Sequence, residues 1–336
     1  MITDGFTYVA VLIMLAGVLV SLEKGTGWAL FRYLPAVVLV YLISMLLCTV
    51  GTWDMAATKP AYGALKNSLT YAMVFTMLLR CDIRKVLKLG PRMLLGFFSA
   101  SLTIMIGFVV AFLVMKGLIG SDSWMALGAL CGSWLGGSGN MVAVQAALGV
   151  SEADMGYALV VDSIDYSIWV MFLLWLITLA PRFNRWMGVD TAKLDAVSQA
   201  IEDDDARRTG EISFQGIFLI FGTSLLVSSV GADLGPLLYV AMPFLTQSIW
   251  TILFIAASGL IAAFSPLGRI AGSMEVANVM LYSLIALAAS RTSLLQFGDA
   301  PAWVLAGFII LGVHFLLMAL IARIFRLDMF TLCISS

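Results

Sequence analysis

The sequence predicts an all-α, polytopic membrane protein, and its composition and the lengths of its apolar segments support that prediction. Of the 336 residues, 61% are hydrophobic and 12% are charged, whereas soluble domains contain about 25% charged residues. Apolar runs long enough to cross ~30 Å of hydrocarbon recur from one end of the chain to the other. The mean hydropathy is +1.01. The net charge of −1 gives no reason to expect a nucleic-acid partner.

The apolar runs can be assigned to ten spans, six before a polar segment and four after it. These spans lie at about 5–22, 33–52, 62–80, 91–117, 123–150, 154–180, 214–231, 247–264, 273–290 and 301–324. The polar segment, 181–213, contains "IEDDDARRTGE" and is interpreted as a solvated linker. Asp4 and no basic residue precede the first apolar run, which is therefore interpreted as a span and not as a cleaved signal peptide.

Two stretches of the chain share one layout, which predicts two related halves. A span with polar residues at its start is followed by a short polar link, a proline and a longer span at 65–98, and again at 274–309. Internal repeats of this kind build many secondary transporters, often in inverted orientation. The predicted domains are a first repeat, a linker and an incomplete second repeat, at 1–180, 181–213 and 214–336.

The relative orientation of the two halves depends on the structure of 123–150. Inverted halves need an odd number of crossings between the paired spans, and simple counting gives six. Either 123–150 is a re-entrant hairpin or the apolar stretch 234–245 contains a further crossing. The second half lacks a counterpart of 123–150, because "LCIS" at 332–335 aligns with "LCGS" at 130–133. We therefore expect the second half to be truncated at its C-terminal end.

The stretch "GSWLGGSGNMVAV" within 123–150 predicts a discontinuous helix near the membrane midplane. Gly128, Gly132 and Gly136 are four residues apart, a spacing that lets another backbone approach closely. The glycines from Gly136 onward then disfavour the helix by about 1 kcal/mol each relative to alanine. Because hydrocarbon offers no water to free backbone groups, such a break is tolerated only where it lines a cavity or is buried in protein.

Freed carbonyls and polar side chains at this break are candidates to bind a solute or an ion. The residues predicted to form this part of the site are Gly136, Gly137, Ser138, Gly139 and Asn140. The alternative is a glycine-lined packing seam. A seam explains the four-residue spacing but not the further glycines and the asparagine.

Two carboxylates in the next span are the second candidate feature. Asp162 and Asp165 are three residues apart and so lie on one helical face. A carboxylate at the bilayer centre costs roughly 2.5–3.5 kcal/mol and usually marks an ion or proton pathway. Since like charges repel, we expect one of the two to exchange a proton. Alternatively, the span begins later and both acids lie in the interface.

Glu275 and Asn278 open a span of the second half on one face and are secondary candidates. An interfacial cap is the alternative for them. Lys66 has the corresponding position in the first half, and we expect it to extend to the interface.

The sequence gives no indication of an enzyme or of a resident cofactor. It contains no GxxxxGK[ST], HExxH or GxSxG motif. Its four cysteines lack metal-ligand spacing, and its one histidine, His314, is expected to be packed or pore-lining.

These motifs together resemble a known family. The "GGSGN" break followed by "VVDSI", the opening "TYVAVLIMLAG" and the link "LRCDIRKVLKLGPR" resemble the bacterial membrane family known as domain of unknown function 819, or YjcL-like, over nearly the whole chain. The resemblance implies a fold similar to that of the cation:proton antiporters and bile-acid-type anion symporters, where two broken helices cross and a carboxylate follows. By position, the first crossing element would contain Gly136, Gly137, Ser138 and Asn140, and the following acid would be Asp162.

We therefore expect a secondary active transporter of the bacterial inner membrane, moving a small solute coupled to Na⁺ or H⁺. Ser138, Asn140 and nearby carbonyls would contact the solute or ion, and Asn140 and Asp162 are the candidate Na⁺ ligands. The expected partners are the solute, the coupling ion and lipid, with no nucleic acid; a homodimer is compatible with the sequence. The alternatives are a non-transporting membrane scaffold or regulator, and a passive channel.

Overall fold

The fold is all-α, which confirms the predicted class. The computed structural model describes residues 1–28, 30–31, 34–81, 90–177, 179–187, 212–293, 300–325, 327 and 329. Within these residues the chain forms helices, and the only β-type pairing is an isolated bridge between Ile2 and Trp53. Most of the predicted linker and the "LCIS" segment, with the truncation inferred from it, lie outside the described residues.

The helices are numbered in chain order over the described residues. They are α1 (Gly5–Thr26), α2 (Ala36–Thr49), α3 (Lys59–Leu78), α4 (Gly90–Ile119), α5 (Trp124–Gly136), α6 (Ser138–Leu148), α7 (Glu152–Ile177), α8 (Ala180–Met187), α9 (Phe214–Ala241), α10 (Gln247–Ala263), α11 (Ser273–Ala289) and α12 (Ala300–Phe325). Local sequence sets several of these ends. At the start of α1 the Asp4 carboxylate accepts the Thr7 amide N–H at 2.7 Å, and Gly27, at φ 61°, ends the helix.

Four helices in the described part of the chain are long and apolar enough to cross a membrane: α1, α4 from Leu94 onward, α9 and α12. No more than 33% of the most apolar window of each helix is buried inside the protein. The remaining apolar surface would favour aggregation in water, whereas lipid solvates it. The protein is therefore a multi-pass membrane protein.

The chain forms two compact units, and each draws on both ends of the sequence. The first contains Met1–Cys81, Asp122–Ser163 and Ile212–Pro301, and the second contains Asp82–Ser121, Ile164–Glu211 and Ala302–Ser336. Compact packing and internal repetition are different properties, so this division does not test the predicted repeats. Their boundaries and inverted orientation stay a prediction.

Within the first unit, α3 is the central helix. It packs against α1, α6, α9, α10 and α11. Gly259 of α10 permits one close approach, because a Cβ atom there would lie 3.0 Å from the Phe75 carbonyl oxygen of α3. A second tie comes from Ser228 of α9, whose hydroxyl donates to the Ser68 carbonyl oxygen at 2.8 Å. These contacts fix the helix that carries Lys66.

Within the second unit, α4 and α12 pack closely. A Cβ atom at Gly107 would lie 2.8 Å from the Ile310 carbonyl oxygen. His314 is 1% exposed, and its Nδ1 atom lies 2.8 Å from the Thr103 hydroxyl oxygen. The Trp169 ring packs edge-on against the His314 ring, with centroids 5.7 Å apart. His314 is therefore a packed histidine.

The structure distinguishes the two ways in which the number of crossings could be odd, a further crossing in 234–245 and a re-entrant segment at 123–150. The stretch 234–245 contains no separate crossing, since α9 continues through Pro236 to Ala241 and the next helix begins at Gln247. Pro236 removes one backbone donor without ending the helix. The segment 124–148 instead folds back on itself as the antiparallel pair α5 and α6, which we call the hairpin.

Candidate functional site

The hairpin turns at Gly137. This residue has φ 89° and ψ 173°, a conformation essentially restricted to glycine. Its N–H donates to the Ser133 carbonyl oxygen at the end of α5, and its own carbonyl oxygen accepts the Asn140 N–H at 2.9 Å at the start of α6. No side chain caps the N-terminus of α6. The predicted break is therefore a tight reversal between two helix ends.

The glycine stripe lies between the two arms of the hairpin. A Cβ atom at Gly128 would lie 3.2 Å from the Leu148 side chain, and one at Gly132 would lie 3.2 Å from the Asn140 carbonyl oxygen. A Cβ atom at Gly136 would overlap the Asn140 side chain. The close backbone approach predicted from the four-residue spacing is thus present, and the approaching backbone is the hairpin's own second arm.

The five residues predicted at the break have different environments. Ser138 is half-buried and Gly139 is buried, whereas Gly136, Gly137 and Asn140 are exposed. Of these five, Ser138 lines the cleft described next. Asn140 does not, because it lies two residues, or about 200°, around α6 from Ser138.

The first unit contains a narrow cleft beside the hairpin, whose free volume of about 20 Å³ has room for about one water molecule. Its polar lining consists of Lys66, Thr70, Ser138 and Gln145. Apolar side chains of α6, α7 and α11 form the remainder, among them Met141, Met155 and Leu284. The character of this lining is similar to that of small-molecule sites, but such sites are much larger, at about 300–1,000 Å³.

A charged cluster adjoins this cleft at Glu152, the first residue of α7. The Glu152 carboxylate pairs with the Lys66 ammonium and accepts the Tyr62 hydroxyl at 2.5 Å and the Gln145 amide at 3.0 Å. The Arg291 guanidinium lies 4.8 Å from the centre of the Tyr62 ring. Lys66 thus has a carboxylate partner from α7 within the protein. Its extension to the interface stays a prediction.

Sequence reasoning missed Glu152, Gln145 and Tyr62 as parts of this site. One signal was available for Gln145. Ser138, Met141, Val142 and Gln145 are spaced 0, 3, 4 and 7 along the chain, so they share one face of α6. Nothing in local spacing joins Lys66 to Glu152, since 86 residues separate them.

Asp162 contacts the first arm of the hairpin. Its Oδ1 atom accepts the Trp134 indole N–H at 3.0 Å, and the Ser133 hydroxyl also lies within hydrogen-bonding reach of the carboxylate. Ser133 and Trp134 form the last turn of α5, immediately before the break. The structure therefore places Asp162 beside the helix end that immediately precedes the break. The role of Asp162 and of residues 136–140 in binding stays a prediction.

Asp165 has a different environment from Asp162. It is fully buried, and neither carboxylate oxygen has a hydrogen-bond partner among the described residues. It belongs to the second unit, whereas Asp162 belongs to the first. The hairpin contacts of Asp162 therefore have no equivalent at Asp165.

The secondary candidates Glu275 and Asn278 do not reach the cleft. Both are exposed and lie in the first two turns of α11. The residues of α11 that line the cleft, Leu284, Ile285 and Ala288, lie near its other end. Their positions fit the alternative of an interfacial helix start.

Helices of membrane-spanning length, a glycine-turned hairpin and a carboxylate at its break define the class, a polytopic α-helical membrane protein. A family model described as "Protein of unknown function (DUF819)" matches residues 10–336, and the chain belongs to that family. No curated protein matches the chain.

Proposed function

We propose that this protein is a secondary active transporter of the bacterial inner membrane and not an enzyme. It moves a small solute, coupled to Na⁺ or H⁺, by alternating access at the cleft beside the hairpin. The observation that carries the proposal is the contact between Asp162 and the last turn of α5. It joins a carboxylate, which can bind a cation or a proton, to the turn that positions Ser138 in the cleft.

Coupling follows from competition for the Asp162 carboxylate. In the structure its oxygen accepts the Trp134 N–H, and hydrogen bonds to a charged group contribute about 1.5–3 kcal/mol. A proton or Na⁺ arriving at this carboxylate reduces its strength as an acceptor for the end of α5. The turn at Gly137 and the start of α6 then take a different position. Binding of the ion to Asp162 thereby changes the shape of the cleft.

The hairpin also supports the proposed inverted architecture. A segment that enters and leaves the membrane on one side adds no crossing. The number of crossings between the paired spans is then odd, which inverted repeats require. Such a topology is compatible with the transporter class in which inverted repeats are common.

Cation-dependent thermal stability of the purified full-length protein in detergent tests the proposal. We expect the apparent melting temperature to rise with Na⁺, or to change with pH, and the response to disappear in Asp162→Asn. Asn keeps an oxygen for the Trp134 N–H but carries no charge. The matched control is Asp154→Asn, in the first turn of the same helix, where the carboxylate bonds to Ser151 at 2.6 Å. Its response should equal that of the wild type.

An unchanged response in Asp162→Asn would remove Asp162 from the coupling site. Reconstitution into liposomes then distinguishes the protein classes. A transporter shows saturable flux that depends on the Na⁺ or H⁺ gradient, a channel shows flux without saturation or coupling, and a scaffold moves nothing. Either of the last two results would replace the proposed function.

A further inference from the structure

A short amphipathic helix, α8, follows α7 at one end of the second unit. Its Phe183 side chain packs against a buried cluster that includes Ala100 of α4 and Ala322 of α12. Arg182 and Arg185 are three residues apart, so they share another face of α8, and both are exposed. An apolar face packed on a spanning helix and a basic face on the outside are typical of helices in a membrane interface.

A third arginine lies at the same end of the second unit. Arg323 is exposed in the last turn of α12 and adjoins Ala322, against whose cluster Phe183 packs. No carboxylate pairs with any of these three arginines within the described part of the chain. Because a guanidinium group can donate two parallel hydrogen bonds to phosphate oxygens, this end of the unit suits an anionic lipid headgroup.

An apolar groove of about 300 Å³ lies between α7 and α12 of the same unit. Its lining includes Trp169 and Phe172 of α7 and Phe308, Leu311 and Phe315 of α12, and none of its described residues is charged. The Phe172 and Phe315 rings meet edge-on, with centroids 5.3 Å apart, and Phe308 is 41% exposed. A hydrocarbon chain matches this lining, whereas a charged or polar molecule would lose hydration without compensation.

The groove lies at the depth of the acyl chains of one leaflet. At 1.5 Å per residue, Phe315 and Phe308 are about 10 and 21 Å along α12 from Ala322, which marks the level of α8. The acyl chains of one leaflet span about 15 Å, half of the hydrocarbon thickness. Trp175, which is 57% exposed, lies along α7 between the groove and α8, and tryptophan is enriched at the level of the headgroups. One phospholipid can therefore reach the arginines and the groove together.

We propose that the second unit binds an anionic phospholipid at this position. Its phosphate group contacts Arg182 and Arg185, and one of its acyl chains occupies the groove between α7 and α12. This site shares no residue with the cleft of the first unit, and it does not depend on the proposed function. Since the lipid contacts three helices of the folded protein, its binding should stabilise the second unit.

Lipids with identical acyl chains test the charge of the headgroup. Dioleoylphosphatidylglycerol is anionic, dioleoylphosphatidylcholine is zwitterionic, and glycerophosphoglycerol is the anionic headgroup without chains. Their binding to the delipidated full-length protein in detergent is measured by native mass spectrometry and thermal shift. We expect the anionic lipid to bind about tenfold or more tightly than the zwitterionic lipid, because its charge is complementary to that of the arginines. The headgroup without chains should not raise the melting temperature.

Arginine variants test the assigned cations. In Arg182→Gln/Arg185→Gln the preference for the anionic lipid should fall about tenfold. In Arg182→Lys/Arg185→Lys most of it should remain, because the charge is kept. The matched control is Lys116→Gln, which removes an exposed cation at the opposite end of α4. Its preference should equal that of the wild type.

A glycine variant tests the groove. Gly312 lines the groove, and nothing lies within 4 Å of a Cβ atom built there, so Gly312→Leu fills the groove without disturbing the helices. It should weaken the binding of both lipids about tenfold and leave the ratio of their affinities unchanged. Gly117→Leu is the control, since a Cβ atom there also has nothing within 4 Å and Gly117 is not part of the groove. It should bind both lipids as the wild type does.

Equal binding of the two lipids by the wild type would overturn the headgroup contact, and lipid binding that is unaffected by Gly312→Leu would overturn the acyl-chain site. A response to glycerophosphoglycerol equal to that of the intact lipid would mean that a soluble phosphate compound binds instead. If a second copy of the chain covers the groove, the delipidated protein will be a dimer that Gly312→Leu dissociates, and the proposal is then wrong.

Discussion

The backbone conformation of Gly137 allows the two arms of the hairpin to pack against each other. At φ 89° and ψ 173° its backbone lies in a region that a side chain excludes by steric overlap. The neighbouring glycines have another task, since the stripe from Gly128 to Gly136 makes room for α6. Gly137 thus allows the turn, whereas Gly128, Gly132 and Gly136 allow the close packing of α6 on α5.

Gly137→Ala should destabilise the protein by about 1–3 kcal/mol, because alanine cannot adopt this conformation without strain. The measurement is the apparent melting temperature of the purified protein in detergent. Gly17→Ala is the matched control, since nothing lies within 4 Å of a Cβ atom at that helical position. It should be neutral or stabilising by up to about 1 kcal/mol. Equal effects of the two substitutions would contradict the role of Gly137.

The order of residues along the chain predicts part of the candidate site. Which of those residues face the cleft depends on the rotation of each helix about its axis. The break and the following acid could be matched because both are marked by unusual residues in apolar spans. Asn140 was placed in the site because it adjoins the glycines. In the structure Ser138 faces the cleft, and the rotation of α6 leaves Asn140 exposed. Only a face-by-face comparison of α6 separates these two residues.

Among the elements, the segment 124–148 is the one in which the sequence predicts a helix break but leaves the path of the chain after the break open. Glycines disfavour a helix whether the chain then continues straight or turns back. What distinguishes the two paths is the packing of one arm on the other. That packing requires Gly128 opposite Leu148 and Gly132 opposite Val144. These pairs can be identified only when the position of the turn, Gly137, is known.

The contact between α3 and α7 should contribute measurably to stability. Lys66→Met and Glu152→Gln should each lower the free energy of unfolding by about 1–3 kcal/mol. The double variant should lose less than the sum, with a coupling energy of about 1 kcal/mol, because the two side chains are 23% and 14% exposed and water partly screens them. The free energies of unfolding of the wild type, the two single variants and the double variant, measured by denaturation in detergent, give this coupling energy. Additive losses would show that the pair is energetically independent.

For the whole molecule, the hairpin determines which loops share a side of the membrane. Both of its ends lie together, since Gly128 of the first arm approaches Leu148 of the second. Helix α1 behaves differently, because its 22 residues and high hydropathy suit a complete crossing. The arrangement of loops can therefore be tested independently of the proposed function.

Single cysteines at Asp122 and Ser151, which flank the hairpin and are exposed, should react with an impermeant maleimide from the same side of the membrane. Labelling is measured in sealed vesicles of a variant whose native cysteines are replaced by serine. Thr3 and Trp28 flank α1 and serve as the control pair. They should react from opposite sides. Opposite labelling of Asp122 and Ser151 would mean that 124–148 crosses the membrane.

The central position of α3 has a consequence for sequence variation. Its residues Thr70, Ala72, Met73, Val74, Phe75 and Thr76 are buried. A helix at the protein's outer surface can exchange its lipid-facing side chains for one another, whereas α3 touches five other helices and has no free face along this stretch. We therefore expect the lining of the cleft to vary more easily through α6, α7 or α11, each of which contributes apolar side chains to it, than through α3.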